Sequence, residues 1–270
     1  MKKRYTIPVI IGGALVITAL GIDAADTVNG SRATLLASIF TSSAPAQVCA
    51  AGMVPVWLEV GMVCVDTYEA SVGDTCVHRQ PTSVEYTQDN ISDIDCVPVS
   101  TEAELPWRFI TRTQAEQLCA RAGKQLITSA VWYQAALGTN ESGCNTEGVL
   151  APGGVFPQCH SGVGTRDMVG NVWEWVQGDI NSGQFEGNKL PQSGYVTLVN
   201  SAGVAIETMP VGTTTYGFDY SWGAATGTMA MMRGGFYGGK SDTGLYSTHT
   251  GIRSDFASAA VGFRCMQSQL

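Results

Sequence analysis

The sequence has few basic residues. Lysine and arginine together number 15 in a chain of 270 residues, against 23 aspartates and glutamates, so the formal net charge is −8. Apart from Lys2, Lys3 and Arg4 at the start, the basic residues form no cluster or stripe. A protein that binds nucleic acid by neutralising phosphates needs such a basic surface. The composition therefore excludes nucleic acid as a partner.

Histidine is rarer still, with only His78, His160 and His249, which are widely separated in the sequence. The chain contains neither the His-Glu-x-x-His motif of zinc proteases nor the Gly-x-Ser-x-Gly motif of serine hydrolases. It also contains no Cys-x-x-Cys pair, which disfavours a zinc site. These patterns support no hydrolase and no transition-metal centre, and we predict no cofactor.

A structural calcium ion is the one metal site that the sequence allows. Three carboxylates, Asp89, Asp93 and Asp95, lie close together in one polar stretch. Their spacing is not that of an EF-hand loop, so a solvated acidic loop is the favoured interpretation.

The first 22 residues have the pattern of an export signal. A basic start is followed by an uncharged apolar run from Ile7 to Ile22. This run lies between the length of a signal-peptide core and that of a full membrane span. We predict a signal-anchor or signal peptide at 1–22, with the anchor favoured, then a linker at 23–47 and a folded domain at 48–270. The domain would then be exported to the cell surface or the periplasm.

Eight cysteines are present, and all lie in the predicted domain. An even number of cysteines in an exported chain indicates disulfides rather than metal or redox chemistry. Their pairing does not follow from the sequence. The two local loops, Cys76–Cys96 and Cys144–Cys159, are the pairs that we expect.

Local patterns divide the domain into regular elements and long loops. A capping box at Thr111 and Gln114 predicts a helix that ends at Gly123, and a second helix is predicted from Ser129 to Leu137. Strands are predicted at 54–57, 62–69 and 229–232. Polar, glycine-rich or aperiodic composition predicts loops at 73–100, 138–164 and 178–228.

The stretch from Asp167 to Val176 contains a carboxylate between two tryptophans. Trp173 and Trp175 would share one face of a strand, and Glu174 would point to the other. Glu174 is either a buried hydrogen-bonded strut or a catalytic acid. The strut is favoured, because no second carboxylate or histidine lies close by in the sequence.

The C-terminal segment 233–265 has two ends that differ from its middle. It begins with Arg-Gly-Gly after an apolar run and ends with the alternating sequence Val-Gly-Phe-Arg-Cys. The middle is rich in Gly, Ser, Thr, Tyr, Asp and Phe, which is the composition of binding loops. A long surface loop held by a terminal strand is an equally good interpretation of the composition alone.

Several motifs taken together resemble the formylglycine-generating enzyme (sulfatase-modifying factor) family. They are Asp167-Met-Val-Gly-Asn-Val-Trp-Glu-Trp175, Arg233-Gly-Gly235, Gly262-Phe-Arg-Cys265 and Val65-Asp-Thr-Tyr-Glu-Ala70. The resemblance covers roughly residues 53 to 265. It implies an α+β, C-type-lectin-like fold with small twisted antiparallel sheets, two main helices and much irregular loop.

The activity of that family is not implied. Its oxidase members have a copper-binding cysteine pair shortly after the Gly-Gly turn, and residues 236–244 contain no cysteine. Its iron-dependent relatives carry a histidine-rich ligand set in an additional domain, which three scattered histidines do not match. The resemblance therefore favours a chain that is not an enzyme.

The same segment resembles the variable proteins of diversity-generating retroelements, which share this fold and end in a segment from Arg-Gly-Gly to Gly-Phe-Arg. Adenine randomisation in such systems, chiefly in Asn-type codons, cannot yield Met, Trp, Lys, Glu or Gln. These types make up 44 of 270 residues, so four to five are expected among residues 236–263, and only Lys240 occurs. The depletion is suggestive, since a Gly/Ser-rich loop would also show it.

The hypothesis is a surface-displayed, non-catalytic binding protein with a diversified face at about 236–259. Its partner would be a protein or glycan on another cell or a phage, and its N-terminal segment would contact the membrane. The alternative is an exported enzyme or pseudoenzyme of the formylglycine-generating family. The expected ligand contacts are Phe236, Tyr237, Lys240, Ser241, Asp242, Tyr246, Thr248, His249, Thr250, Ile252, Asp255, Phe256 and Ser258. The expected framework residues are Asn171, Trp173, Glu174, Trp175, Arg233, Gly234, Gly235, Gly262, Phe263 and Arg264.

Overall fold

The computed structural model describes residues 49–223, 227–240 and 243–268. The predicted N-terminal segment 1–22 and linker 23–47 lie outside these residues, so the domain boundaries stay predictions. Within them, no helix is long and apolar enough to cross a membrane. The predicted α+β class is confirmed, and the described residues form three sheets and three α-helices, where two main helices were predicted.

The smallest sheets are built from the N-terminal part of the domain and the C-terminus. Strands β1 (Met53–Leu58) and β2 (Gly61–Asp66) form the predicted hairpin, and the sheet order is β1-β2-β15-β5. The other two members are β15 (Cys265–Ser268), which lies between β2 and β5, and β5 (Gln125–Leu126) at the edge. A separate pair joins β3 (Ser71–Val72) to β4 (Pro98–Val99).

The largest sheet has nine strands in the order β10-β9-β11-β13-β12-β6-β7-β8, with β14 beside β6. Two pairings in it, β11 with β13 and β14 with β6, are parallel, so the sheet is mixed rather than purely antiparallel. Its strands are β6 (Trp173–Asn181), β7 (Gln184–Phe185), β8 (Asn188–Lys189), β9 (Gly194–Val199), β10 (Ala205–Met209), β11 (Tyr220–Trp222), β12 (Thr228–Arg233), β13 (Thr248–Ile252) and β14 (Val261–Phe263).

This sheet corrects two predictions. The region 178–228 is not a loop, because it contains the end of β6 and all of β7 to β11. The middle of the C-terminal segment is not a loop throughout either, because β13 pairs with β12 and β11. The alternation of side chains in these strands is hard to see in the sequence, since both faces carry polar and apolar residues.

Three helices flank the sheets, and each begins at a hydroxyl cap. Helix α1 (Val84–Ser92) starts after Ser83 and lies inside the region predicted as a stapled loop at 73–100. Helix α2 (Arg112–Arg121) has the predicted capping box at Thr111 and Gln114. Helix α3 (Ser129–Ala136) starts after Thr128 and ends one residue before the predicted Leu137.

The two faces of the large sheet bury different cores. One core contains Trp173, Trp175 and Phe263 from the sheet and Leu118 from α2. The other contains Val176 and Met231 from the sheet, together with Trp132 and other residues of α3. Adjacent residues of one strand enter opposite cores, as the pleat of a strand requires.

Four disulfides use all eight cysteines. Cys76 is bonded to Cys96 and Cys144 to Cys159, which are the two local pairs expected from the sequence. The other bonds are Cys49–Cys64 and Cys119–Cys265, and the latter joins α2 to β15. Four such bonds indicate an oxidising, extracytoplasmic environment.

Candidate functional site

The centre of the domain is a buried ion pair between Glu174 and Arg264. Arg264 Nη2 lies 2.6 Å from Glu174 Oε1, and Arg264 Nε lies 2.8 Å from Glu174 Oε2. Trp132 Nε1 also donates to Oε2, at 2.7 Å. Both charged side chains are fully buried. Since each carboxylate oxygen has charged or polar donors and no contact with solvent, the geometry favours the strut over the catalytic acid.

Arg233 is the second buried cation of the framework. Its guanidinium donates to Ser129 Oγ at 2.9 Å and to the carbonyl oxygens of Ala202, Gly203 and Leu245. It also lies 4.7 Å from the ring centre of Trp132. Burial lowers the pKa of Arg233 to about 9. Because it ties the start of α3 and two loops to β12, Arg233 is placed to hold the backbone rather than to meet a ligand.

The two glycines after Arg233 have backbones that favour glycine. Gly234 and Gly235 have φ of 89° and 82°, in the left-handed region. A Cβ on Gly235 would lie 2.2 Å from Thr243 Cγ2, and a Cβ on Gly234 would lie 2.5 Å from the carbonyl oxygen of Met168. The turn that leads from β12 into the C-terminal segment therefore has little room for any side chain.

Asn171 connects the framework to a buried acidic group. Its Nδ2 donates to Glu69 Oε2 at 2.6 Å, and its Oδ1 accepts from the backbone of Ala151 at 3.1 Å. Burial, and then the nearby Asp167 and Glu174 carboxylates, raise the pKa of Glu69 well above its usual value.

Gly262, in β14, is also tightly packed, since a Cβ there would lie 2.9 Å from Val172 Cγ2.

An aromatic row crosses the large sheet from β9 to β6. We define the aromatic row as Tyr195, Tyr220, Trp222, His249 and Trp173. Neighbouring ring centres are 5.1 Å apart for Tyr195 and Tyr220, 4.8 Å for Tyr220 and Trp222, and 6.1 Å for Trp222 and His249. Trp173 is 5.5 Å from Trp222 and 6.3 Å from His249. The first four side chains are half-buried, and Trp173 is buried beneath the end of the row.

Strand register explains why these rings share one face. Tyr195 is paired with Tyr220 across β9 and β11, and Trp222 is paired with His249 across β11 and β13. Tyr220 and Trp222 are two residues apart in one strand, so their side chains point to the same side. Met209, paired with Tyr195 and 56% exposed, extends the row to the edge of the sheet.

His249 is the only predicted contact residue in the row. Its ring stacks on Trp222, and its Nδ1 is buried without a hydrogen-bond partner. Burial lowers the pKa of His249, so the ring is neutral at neutral pH. Tyr195, Tyr220 and Trp222 are not among the predicted contacts, because the composition of 178–228 predicts a loop. The alternating Tyr-Ser-Trp of β11 is the one local signal that pointed to them.

The other predicted contacts do not form one surface. Phe236 packs against the same core as Trp222, and the Tyr237 backbone donates to the carbonyl oxygen of Asn171 at 3.0 Å. Tyr246 instead packs against the opposite core, beside Tyr133 and Tyr216. Burial, and then the hydrogen bond with Tyr133, raise the pKa of Tyr246 to about 12.

Two predicted contacts are corrected by their burial. Thr248 Oγ1 and Ser221 Oγ are 2.8 Å apart, and Thr250 Oγ1 donates to the carbonyl oxygen of Trp222 at 3.1 Å. Both threonines are buried, and Thr248 points to the face of β13 opposite its neighbour His249. They hold β13 to β11 and have no surface to offer a ligand.

The remaining predicted contacts lie at the far end of β13 and in the loops. Asp255 is exposed and paired with Arg253, Phe256 is 40% exposed, and Ile252 and Ser258 are half-buried. Lys240 is exposed, beyond Tyr237. Ser241 and Asp242 lie outside the described residues. These positions are accessible, but only Ile252 shares the core beneath Trp222.

The acidic residues considered for calcium point to separate partners. Asp89 lies 3.0 Å from His78 Nε2, and Asp93 Oδ1 accepts from the backbone of Asp95 at 3.0 Å. In the part of the chain that the structure describes, no three His, Cys, Asp or Glu side chains are grouped as metal ligands would be. The aromatic row, in which four half-buried rings lie next to one another on one face of the large sheet, is the candidate site.

Comparison with protein families supports the resemblance seen in the sequence. Residues 143–269 match the model of the sulfatase-modifying factor enzyme 1-like domain, which confirms the predicted resemblance. No curated protein matches the chain.

Solved structures with a similar fold share little sequence with the chain. The Major Tropism Determinant P3c variant is 16% identical over 83% of this chain and 54% of its own, with a TM-score of 0.46. PvdO from Pseudomonas aeruginosa is 14% identical over 77% of this chain and 81% of its own, with a TM-score of 0.42. Treponema denticola variable protein 1 is 14% identical over 80% of this chain and 99% of its own, with a TM-score of 0.40. The chain spans about half the length of the Major Tropism Determinant chains.

Proposed function

We propose that the chain is a non-catalytic binding protein whose binding face is the aromatic row together with the accessible side chains of residues 236–259. The observation that carries the proposal is the row itself: four half-buried aromatic side chains in contact across three strands of one sheet. Rings held in this way lose little conformational entropy when a partner covers them.

The surroundings of the row suit a contact surface. Between Lys189 and Arg233 the sequence has two charged residues, Glu207 and the buried Asp219. Three large apolar side chains near the row, Met209, Val211 and Phe218, are about half exposed or more. An uncharged surface rich in Trp, Tyr and Met is typical of the centre of a protein interface.

Diversification of the face is the second part of the proposal. Residues at both ends of the C-terminal segment, such as Arg233, Phe263 and Arg264, are buried and extensively bonded. Lys240, Asp255 and Phe256, in contrast, are exposed. Substitution of exposed side chains usually changes the free energy of unfolding by less than about 0.5 kcal/mol. A segment with a fixed frame and replaceable surface positions can therefore vary without unfolding.

The partner in this proposal is a protein or glycan on another cell or a phage, met by a chain displayed at the surface. Four disulfides support a location outside the cytoplasm. The N-terminal segment would anchor the domain, in keeping with its basic flank and apolar run.

The binding face is tested with Trp222→Ala and a matched control. Arrays of glycans and of cell-surface proteins would first identify a ligand of the wild-type protein. Removing a hot-spot tryptophan costs about 2 kcal/mol or more, which weakens binding roughly 30-fold. Trp57→Ala is the control, since Trp57 is 72% exposed but lies on β1, outside the row. Equal effects of the two substitutions on affinity would contradict the proposed face.

Diversification is tested by sequencing the 3′ end of the gene across a population of cells. The proposal expects substitutions concentrated in the codons for residues 236–259, with changes at adenines of a nearby template repeat. An invariant segment would remove this part of the proposal and leave a binding face of fixed sequence.

An exported enzyme or pseudoenzyme is the second candidate, favoured by the match to the sulfatase-modifying factor enzyme 1-like domain. All eight cysteines are in disulfides, so a thiolate would require the reduction of one of them. Metal analysis of the purified protein separates the candidates, because stoichiometric copper or iron would favour the enzyme.

A further inference from the structure

Arg108 lies beside the Trp173 end of the aromatic row. Its Nη1 donates to the carbonyl oxygen of Ala259 at 3.3 Å, and the backbone nitrogen of Trp173 donates to the next carbonyl, that of Ala260, at 2.9 Å. The two residues therefore flank the same short stretch of backbone before β14. The preceding Trp107 is fully buried in the core on which Trp222 and Phe236 also pack.

The guanidinium of Arg108 has few partners of its own. Its Nε is buried without an acceptor, and the bond to Ala259 is its single hydrogen bond within the described residues. No described carboxylate forms an ion pair with it, whereas Arg79, Arg112 and Arg253 each have one. A guanidinium has five N–H donors, so most donors of the half-buried Arg108 have no partner among the described residues.

Two aromatic side chains stand next to this cation. The Arg108 guanidinium lies 5.5 Å from the ring centre of Phe109, and the Tyr237 phenol is close enough to interact electrostatically with it. Burial lowers the pKa of Arg108, and Tyr237 opposes that effect. The Tyr237 ring is 5.4 Å from that of Phe236. Phe109 has φ of 57°, a strained value for a bulky residue, of the kind found at ligand sites.

We propose that Arg108, Tyr237 and Phe109 form a carboxylate-binding subsite at the end of the aromatic row. The partner is a protein whose docking surface carries an aspartate or glutamate side chain beside an apolar patch. A carboxylate would complete the donors of Arg108, and the apolar patch would cover the row. The inference rests on the proposed binding function and adds the chemistry of its ligand.

The arrangement of the rings favours a protein over an acidic glycan. Sugars stack on the open faces of aromatic rings, but here Trp222 is stacked on His249, and Trp173 meets Trp222 edge to face. The row thus offers ring edges and a long, nearly uncharged strip that ends at Met209. Methionine, aromatic residues and arginine are the types enriched at protein interfaces.

The subsite is tested with two small probes of the same shape, 3-phenylpropionate and its neutral amide. Both are titrated into the purified full chain, and dissociation constants are taken from the NMR signals of the tryptophan indoles. The wild-type protein should bind the acid about tenfold more tightly than the amide, since a charged hydrogen bond is about twice as strong as a neutral one. Arg108→Gln should abolish this preference, and Arg108→Lys should retain only part of it.

Three controls give each outcome a meaning. Arg79→Gln, at an exposed arginine that is paired with Asp74 and lies outside the proposed face, should leave the preference unchanged. Thermal unfolding of Arg108→Gln shows whether the variant is folded. If it is not, the acid-over-amide preference of Arg108→Lys tests the subsite instead. Trp222→Ala should weaken binding of the amide as well as the acid, because both probes place the same phenyl ring on the row.

The result that would overturn the subsite is equal binding of acid and amide, or a preference that survives Arg108→Gln. Amide binding that still depends on Trp222 would then leave the proposed function standing. Failure of both probes to bind would contradict the subsite and the face together. Tighter, Arg108-dependent binding of glucuronate than of 3-phenylpropionate would overturn the protein partner in favour of an acidic glycan.

Discussion

At the scale of single residues, the chain separates side chains that build the domain from side chains that can meet a partner. Glu174 and Trp173 are adjacent in β6, yet Glu174 joins the ion pair with Arg264 and Trp173 supports the aromatic row. The sequence predicted this division of faces from the Trp-Glu-Trp pattern alone. It could not show that Arg264, ninety residues further on, is the partner of Glu174, because the pairing depends on how β14 lies beside β6.

The buried ion pair predicts a large cost for removing one charge. Glu174→Gln keeps the shape of the side chain but removes the one carboxylate that is hydrogen-bonded to Arg264, which should lower the free energy of unfolding by about 3–5 kcal/mol. Urea denaturation of the wild-type and variant proteins measures the change. Glu207→Gln, at an exposed glutamate, is the control and should change stability by less than about 0.5 kcal/mol. A Glu174→Gln protein as stable as the control would show that the pair is not a strut.

At the scale of secondary-structure elements, visible patterns predicted α2 and α3 but not α1. The capping box and the stripe of Ala115, Leu118 and Cys119 marked α2 clearly. In α1 the buried residues are Thr87, Asn90 and Ile91, so two of the three are polar and no apolar period is visible. Asn90 is buried because it bonds to the backbone of His78, a contact that local sequence does not reveal.

The aromatic row was hidden for a related reason. Its members come from β6, β9, β11 and β13, and no two of these strands are consecutive in the sequence. Short strands with glycine and serine give weak periodicity, so the region 178–228 has the composition of a loop. The row also depends on the order of strands in the sheet, which local sequence patterns do not show.

The pairing of β11 with β13 predicts that Ser221 and Thr248 act together. Thr248→Val should leave the Ser221 hydroxyl buried without its partner and cost about 1–3 kcal/mol. Adding Ser221→Ala should recover part of that loss, because both polar groups are then gone. Unfolding free energies of the two single variants and the double variant measure the coupling. Strictly additive losses would mean that the hydroxyl pair does not join the two strands.

At the scale of the whole molecule, the domain buries carboxylates whose pKa values are raised, so its free energy of unfolding depends on pH. Burial raises the pKa values of Glu69 and Asp66, and it raises that of Asp167 to about 6. Arg264 attracts all three carboxylates but can neutralise only one charge at a time. The folded protein therefore binds protons that the unfolded chain, with carboxyl pKa values near 4, does not bind at the same pH.

Asp167 makes this linkage measurable. Since its pKa rises from an unfolded value of about 4 to about 6, its contribution to stability is complete below pH 4 and is lost as the pH rises to 6, in total on the order of 3 kcal/mol. Unfolding of the wild-type protein at pH 5, 6 and 7 should show this decline. Asp167→Asn should flatten it by up to about 1.4 kcal/mol per pH unit, because the amide does not titrate.

Asparagine is a suitable replacement at this position, because it tolerates the left-handed backbone of residue 167, where φ is 55°. It also retains an oxygen for the Gly154 backbone nitrogen, which lies 2.6 Å from Asp167 Oδ2. The lowered pKa of His249 acts in the opposite direction, since it reduces stability as the pH falls below about 6.5. His249 is present in both proteins, so its contribution cancels in the difference between them. Identical pH slopes for the wild-type protein and Asp167→Asn would show that Asp167 takes up no proton on folding.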